Sequence, residues 1–351
     1  MTEPTWIPHL QDLLIDKNNT YFTPSKNGSF GGGQLIFRTR FTLFATFGMV
    51  CSAPHISAKF HRAGPEDFYP KMECIGDILK RHGYSTSVIF GASFYDWNMG
   101  YTFSKHHYDK IISDVQMKHR GWVKDFVVID HFKKELARLN SLKKPFFAHM
   151  LTLDSHQPGL VCKYCPKANS SNERAVRCTD KQIFDFLEWA KTQPWYNNTL
   201  IVMYGDHLNR WPKFRTESEK IGYKRSTYNV WINSAVKPKI QTGRMYSNFD
   251  IQPSIYAAAG FKVKGDRIAL GTNLFSDKET LMEKLGFDKF EDEIEDTPKW
   301  YHSVYDGIQY QSNSNDLVVT GTLGEKDTRG EKKERDYWTN PLVQKSKKPK
   351  K

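Results

Sequence analysis

The stretch Leu200-Ile201-Val202-Met203-Tyr204-Gly205-Asp206-His207 decides how this chain folds. Five consecutive apolar or aromatic residues stop at a glycine, and a carboxylate and an imidazole follow. A short unbroken apolar run of this kind is the pattern of a strand buried on both faces. In open α/β sheets, ligands gather just beyond the carboxyl ends of such strands, and Asp and His are both good ligands for a divalent metal. Taken alone, the pair reads equally well as a helix N-cap followed by a solvent-facing histidine.

Outward from this strand, helical and strand-like periods alternate along the chain. Toward the C-terminus, Val230 to Ile232 reads as a strand and Asp250 to Ala259 as a helix. Toward the N-terminus come a helix over Asp180 to Thr192, a strand over Pro145 to Leu153 and an amphipathic helix over Phe126 to Leu139. Ahead of these lie a short buried strand, Ser87 to Phe90, and a helix, Cys74 to His82, closed by Gly83 as C-cap. An apolar helical run, Leu43 to Val50, follows the polar glycine-rich stretch Asn27 to Gly33. Helix and strand succeed one another as a mostly parallel sheet requires, so the expected class is α/β.

The expected organisation is one large domain over residues 1–290, an extension over 291–323, and a disordered basic tail over 324–351. The extension opens on the acidic run Glu291 to Asp296 and carries a hairpin pattern at Ile308 to Thr322. No internal repeat is visible.

The formal charge is +12 over 351 residues, and the last seven residues alone hold five lysines. This basicity suits phosphates and lipid headgroups. No aromatic-basic ribonucleoprotein motif or zinc-finger spacing supports nucleic acid as a partner. No apolar run approaches the ~20 residues that span a bilayer, and Met1 to Pro24 lacks a signal-peptide core, so the chain as written reads as soluble. Among five cysteines, Cys162, Cys165 and Cys178 cluster in what reads as a polar loop, with Cys51 and Cys74 further upstream. The expectation is a loop disulfide to Cys178, in an oxidising compartment, over three reduced thiols. Asn18, Asn27, Asn169 and Asn197 each begin an N-x-S/T triplet, which matters only in a secretory pathway.

Two further positions are equipped for chemistry. Thr42 follows Arg38-Thr39-Arg40-Phe41 where a polar loop turns into the apolar helical run. A hydroxyl there meets unpaired backbone N–H groups and the positive end of the helix dipole, which favour an alkoxide or an attached phosphate; a plain N-cap is the simpler account. Thr46 and Ser52 are neighbouring hydroxyls with a similar claim. His156, in Leu153-Asp154-Ser155-His156, follows a strand and faces the same carboxyl edge, where it can bind an anion or protonate a leaving group. A hydroxyl nucleophile, a metal pair and a nearby imidazole are together the equipment of phosphoryl transfer.

The order of these motifs resembles the phosphoglycerol transferases and lipoteichoic acid synthases of the sulfatase and alkaline phosphatase superfamily, most of all the phosphoglycerol transferase I group. The stretches that carry the resemblance begin with Arg38-Thr39-Arg40-Phe41-Thr42 with Gly48-Met49-Val50, then Cys74-Ile75-Gly76-Asp77-Ile78-Leu79 with His82-Gly83-Tyr84. They continue through Leu151 to His156, Pro194 to Thr199, Asp206-His207 and Asp250-Ile251-Gln252-Pro253-Ser254, in register over roughly residues 5 to 280. The resemblance implies an alkaline-phosphatase-like α/β/α sandwich with one divalent cation, Mn2+ or Mg2+. It places Thr42 as nucleophile and metal ligand, Asp206 and His207 as metal ligands, and His156 against the substrate phosphate. It implies transfer of a phosphoglycerol group from an anionic phospholipid, through a covalent threonine intermediate, to a glycan or teichoic-type acceptor. The expected location is the periplasmic or extracellular face of the cytoplasmic membrane.

Two departures accompany the resemblance. Family members hold a further metal ligand, a glutamate ending a first strand ahead of a loop like Trp6-Ile7-Pro8-His9-Leu10, and no apolar strand precedes Glu3 here. That strand is therefore expected to be missing, together with the usual membrane-spanning region. Where some relatives have a basic residue after the Ser87 to Phe90 strand, this chain has Ser93 to Met99, with Trp97 as the expected substrate contact. Within the superfamily the alternative is a sulfatase or phosphodiesterase, but Ser52-Ala53-Pro54-His55-Ile56 matches only half of the sulfatase nucleophile motif. From another class, a catalytically degenerate protein that binds an anion or headgroup is the alternative.

Overall fold

The structure is a computed structural model and describes residues 6–28, 31–55, 68–69 and 72–295. The hairpin expected at Ile308 to Thr322, the tail from Gly324, and Glu3 lie outside these residues.

Helices α1 (Pro8–Ile15), α2 (Thr42–Cys51) and α3 (Ile75–Arg81) precede strand β1 (Ser85–Phe90). Then come α4 (Met99–Lys105), β2 (Lys110–Ile112), α5 (Asp125–Ser141), β3 (Phe146–Leu151) and α6 (Ser171–Lys191). The order continues with β4 (Ile201–Tyr204), α7 (Pro212–Lys220), β5 (Asn229–Ile232) and α8 (Ile251–Ala258). A two-residue ladder, β6 (Arg267–Ile268) with β7 (Gly271–Thr272), and helices α9 (Leu281–Leu285) and α10 (Phe287–Glu295) close the described chain.

Strand β1 is central to a parallel set in the order β2-β1-β3, pairing Ser85 to Phe90 with Phe146 to Leu151 residue for residue. Alternate side chains feed opposite layers, as the pleat requires. Ile89 packs with Val128, Phe132 and Leu136 of α5 and Phe186 and Leu187 of α6. Val88 and Phe90 pack instead with Phe47 and Val50 of α2, Leu79 of α3 and Phe103 of α4. The result is the α/β/α layering that the resemblance implied, within the α/β class read from the periodicity.

Three local readings change. Strand β5 runs antiparallel to β4, with Ile201 opposite Ile232 and Tyr204 opposite Asn229. A three-residue apolar run such as Val230 to Ile232 carries no signal of its direction, because both ladders accept the same side chains. Cys178 lies on a helix, because α6 starts at Ser171, where the Ser170 hydroxyl accepts the Glu173 N–H as an N-cap. Helix α10 runs across the expected boundary at 290/291. Its Phe290 and Ile294 pack on Ile36 and Phe249, and Glu291 accepts the Phe37 N–H at 2.9 Å and pairs with Arg40.

The glycine-rich stretch is a close approach of two backbones. A Cβ at Gly32 would stand 1.7 Å from the Thr227 carbonyl oxygen, so only glycine fits there.

Two disulfides are present. Cys51–Cys74 joins the last residue of α2 to the residue before α3, and Cys165–Cys178 ties the loop before α6 to that helix. The thiol of Cys162 stays free, its Sγ 3.6 Å from that of Cys178. The expected bond to Cys178 is thus made by Cys165.

Candidate active site

Thr42 is the first residue of α2. Phe41, with extended backbone, precedes it as N-cap and offers no side-chain acceptor, so the helix's leading N–H groups are not capped by that residue. The Thr42 Oγ1 lies 3.2 Å from His207 Nε2. The Asp206 Oδ2 approaches the same nitrogen at 3.5 Å. Thus the residue that opens α2 and the two that follow β4 meet across 165 positions of sequence.

The orientation of His207 is set from behind. Its Nδ1 lies 3.0 Å from the Leu208 carbonyl oxygen, an acceptor only, so Nδ1 carries a proton and Nε2 is the nitrogen turned toward Thr42 and Asp206. Asp206 is held too. Its Oδ1 accepts the His207 N–H at 2.8 Å, and its carbonyl accepts the Asn248 side-chain amide at 2.9 Å. Asn248 is buried and lies just ahead of α8, which explains why the Asp250-Ile251-Gln252-Pro253-Ser254 region belongs with the site. Sequence reasoning did not single out Asn248, since a lone Asn before a helix reads as a cap.

His156 is half-buried on the other side. Its Nδ1 faces the Gln157 carbonyl oxygen at 2.8 Å, so Nε2 is the bare nitrogen. Burial, with the neighbouring His207 and Arg210, holds its pKa below the ordinary histidine value, against the Gln157 bond and the Asp206 charge. Trp97 and Trp122 flank it, with ring centroids 5.4 and 5.1 Å from the imidazole. Trp122 donates its indole N–H to Asp96 at 3.2 Å, and it was missed in the sequence because it lies in a loop without periodicity. Arg210 was missed as well. It follows Asp206 by four residues, stacks its guanidinium on Phe41 at 4.1 Å, and lines the same cavity as Thr42, Trp97, His156, Asp206 and His207.

The competing hydroxyls part company. Thr46 is fully buried one turn into α2, and its Oγ1 has no hydrogen-bond partner among the described residues. Ser52 is fully buried at the opposite end of the ten-residue helix, away from Asp206 and His207. Ser52 is therefore not among the groups that meet His207 Nε2, which Thr42 faces instead. The chemistry of the donor set fits a divalent cation: a carboxylate, an imidazole nitrogen and a hydroxyl converge. Among the described residues, no third His, Cys, Asp or Glu joins Asp206 and His207 in such a set.

Residues 37–261 match the sulfatase family model. Phosphoglycerol transferase I of Citrobacter koseri is 26% identical over an alignment of 190 residues that covers 48% of this chain and 25% of that protein. The chain thus spans about a quarter of the length of the curated relatives it matches. In structure it is similar to the lipoteichoic acid synthase LtaP from Listeria monocytogenes, with a TM-score of 0.58 and 15% identity, covering 77% of this chain and 69% of that one. It is also similar to the Streptococcus pyogenes phosphoglycerol transferase GacH, solved with sn-glycerol-1-phosphate, with a TM-score of 0.50 and 18% identity over 74% and 69% of the two chains. At these identities the structural likeness establishes the shared fold.

Proposed function

Because this chain belongs to the sulfatase family, we propose that it is the catalytic part of a metal-dependent phosphoglycerol transferase. The observation that carries this reading is the meeting of Thr42 Oγ1 with His207 Nε2 at 3.2 Å, with the Asp206 carboxylate beside them. The likeness to phosphoglycerol transferase I supports the choice within the family.

The donor is a phosphatidylglycerol-like anionic lipid. A Mn2+ or Mg2+ ion held by Asp206, His207 and Thr42 would neutralise phosphoryl charge and lower the pKa of the threonine hydroxyl. Thr42 Oγ1 attacks the phosphorus, its oxygen–phosphorus bond forms as the bond to diacylglycerol breaks, and the proton given up by the Thr42 hydroxyl passes to the departing oxygen. The N–H groups opening α2 and the Arg210 guanidinium would hold the anionic phosphoryl group in place. An acceptor hydroxyl of a glycan or teichoic-type polymer then attacks the same phosphorus. His156, with Nδ1–H committed to the Gln157 carbonyl, accepts the acceptor's proton at Nε2, and that proton restores the Thr42 hydroxyl as its bond to phosphorus breaks. Trp97 beside His156 borders the place of the acceptor. The two disulfides agree with a periplasmic or extracellular site of action at a membrane surface.

Incubation with Mn2+ and phosphatidylglycerol, followed by intact-mass analysis, tests the reading. The expected result is a glycerophosphoryl adduct on the protein that is absent in Thr42→Ala, and bound Mn2+ that is lost in Asp206→Ala. An adduct that persists in Thr42→Ala refutes the nucleophile assignment, and Mn2+ retained at full stoichiometry in Asp206→Ala refutes the metal site.

A further inference from the structure

The loops that leave the carboxyl edge of the parallel strands carry side chains that the site does not use. One covers residues 113–124 after β2, and another covers 152–170 after β3. They meet beside the site: Trp122 of the first lies 5.1 Å from His156 of the second, and Tyr164 packs edge-on against Phe126, just past the first. The first loop is tied to the end of β1 at both of its ends. The Asp114 N–H donates to the Ala92 carbonyl at 3.2 Å, and the Val123 N–H to the Gly91 carbonyl at 2.6 Å. Between these anchors only Met117 is buried, so Val115 and Lys118 to Trp122 stand out from the edge.

Charge on the two loops is sorted by sign. Asp114 and Asp154, their only carboxylates, are buried, whereas Lys118, Arg120, Lys163 and Lys167 are exposed. Large apolar side chains collect at the same edge. Among the described residues the exposed aromatic rings are Phe41, Trp122 and Tyr164, and all three stand here with the exposed Val115. Cations accompany them: Arg210 lies over Phe41 at 4.1 Å and Lys163 over Tyr164 at 4.9 Å. None of these four apolar side chains lines the site cavity. They protrude from three separate segments around its mouth.

We infer that this edge is a docking surface for an anionic lipid bilayer. Phe41, Val115, Trp122 and Tyr164 enter the headgroup layer, and the four exposed cations meet lipid phosphates. Aromatic rings and long basic side chains are the residues that settle at that depth, and a surface whose carboxylates are buried complements anionic lipid. Val115 separates a bilayer from a soluble polyanion, which has no use for an exposed aliphatic side chain. Docked this way, the mouth of the site with Thr42 and Arg210 faces the headgroups, and a donor phosphate is reached while its acyl chains stay in the membrane. The choice of phospholipid as partner rests on the transfer reading; the sorted charges and exposed rings do not.

Flotation of the full chain with phosphatidylcholine vesicles, with and without phosphatidylglycerol and without Mn2+, tests the surface. Lys118→Glu, Arg120→Glu and Lys163→Glu together are compared with Lys143→Glu, Lys144→Glu and Lys262→Glu together. The second set consists of exposed lysines toward the amino edge, beside the starts of β3 and β1, and alters the net charge by the same amount. The first set should weaken binding to phosphatidylglycerol vesicles about 100-fold and the second only about threefold, because each cation at the lipid surface counts and distant ones are screened. Val115→Asp should weaken it about tenfold. Circular dichroism checks that each form is folded. Equal weakening by the two sets, as the lysine-rich stretch 345–351 acting alone would give, overturns the inference. So does unchanged affinity in Val115→Asp, which makes the surface one for a soluble polyanion. Adduct formation on Thr42 from a short-chain phosphatidylglycerol dissolved as monomers, with Mn2+ restored, should be equal in the parent and both sets. Vesicle binding in the expected pattern with no adduct in any form refutes the transfer reading and leaves the docking surface standing.

Discussion

Asp77→Asn tests how firmly the fold anchors the helix that begins with Thr42. Asp77 lies in the first turn of α3, with its side chain only 10% exposed. Its Oδ2 accepts the Cys74 N–H at 2.8 Å and faces His106 Nδ1 at 3.0 Å, while Oδ1 faces His107 Nδ1 at 2.5 Å. Cys74 is in turn bonded to Cys51 at the end of α2, so the carboxylate secures the junction of α2 and α3. Burial pushes the Asp77 pKa up, but the bonds from His106 and His107, the His106 charge and the Cys74 N–H outweigh it and hold the group at about 2, against 3.8. At 1.36 kcal/mol per pKa unit, that difference stabilises the fold by about 2 kcal/mol. The sign follows from the depressed folded pKa: the contribution is complete above the unfolded value and is lost as pH falls through the folded one. Roughly half of it remains at pH 3.

His107 works in the other direction. Its hydrogen bond to Asp77 raises its pKa against the effect of burial, so its contribution is present below the unfolded histidine value and fades as pH rises through the folded one. Urea unfolding followed by circular dichroism at pH 7 and pH 3 measures the acid limb. Asp77→Asn should cost about 2 kcal/mol at pH 7 and about half as much at pH 3. An equal loss at both pH values refutes the reasoning.

Two further outcomes are expected. Replacing Cys51 and Cys74 together by Ala opens a loop of 23 residues and should lower stability by about 3 kcal/mol in urea unfolding, with a Tm drop to match. Asn248→Ala removes the amide that holds the Asp206 carbonyl and should weaken Mn2+ binding about 10- to 100-fold by titration calorimetry, while the fold persists. Unchanged Mn2+ affinity in that variant would mean that Asp206 is oriented without Asn248.

Much of this was legible in the residues. The apolar runs read as strands at Ser87 to Phe90, Pro145 to Leu153 and Leu200 to Tyr204 contain or fall within β1, β3 and β4, and Gly83 marked the end of α3, because these patterns act through local sterics and burial period. The start of α6 was misplaced. Its first turns are polar, and the Ser170 cap decides the boundary where periodicity is weak. Thr42, His156, Asp206 and His207 were each chemically ambiguous alone, and only their order along the chain singled them out. Asn248, Arg210 and Trp122 left no mark, because what distinguishes each is a partner far away in sequence or across a loop.

The sequence by itself determined the α/β class, most of the elements and a short list of residues able to do chemistry, since propensity and periodicity are local. Tertiary structure decided that β5 runs against β4, that Thr42 rather than Ser52 meets His207, and that Cys165 rather than Cys162 bonds to Cys178. Each of these is a choice among partners with similar local chemistry, and only the packing of distant segments separates them.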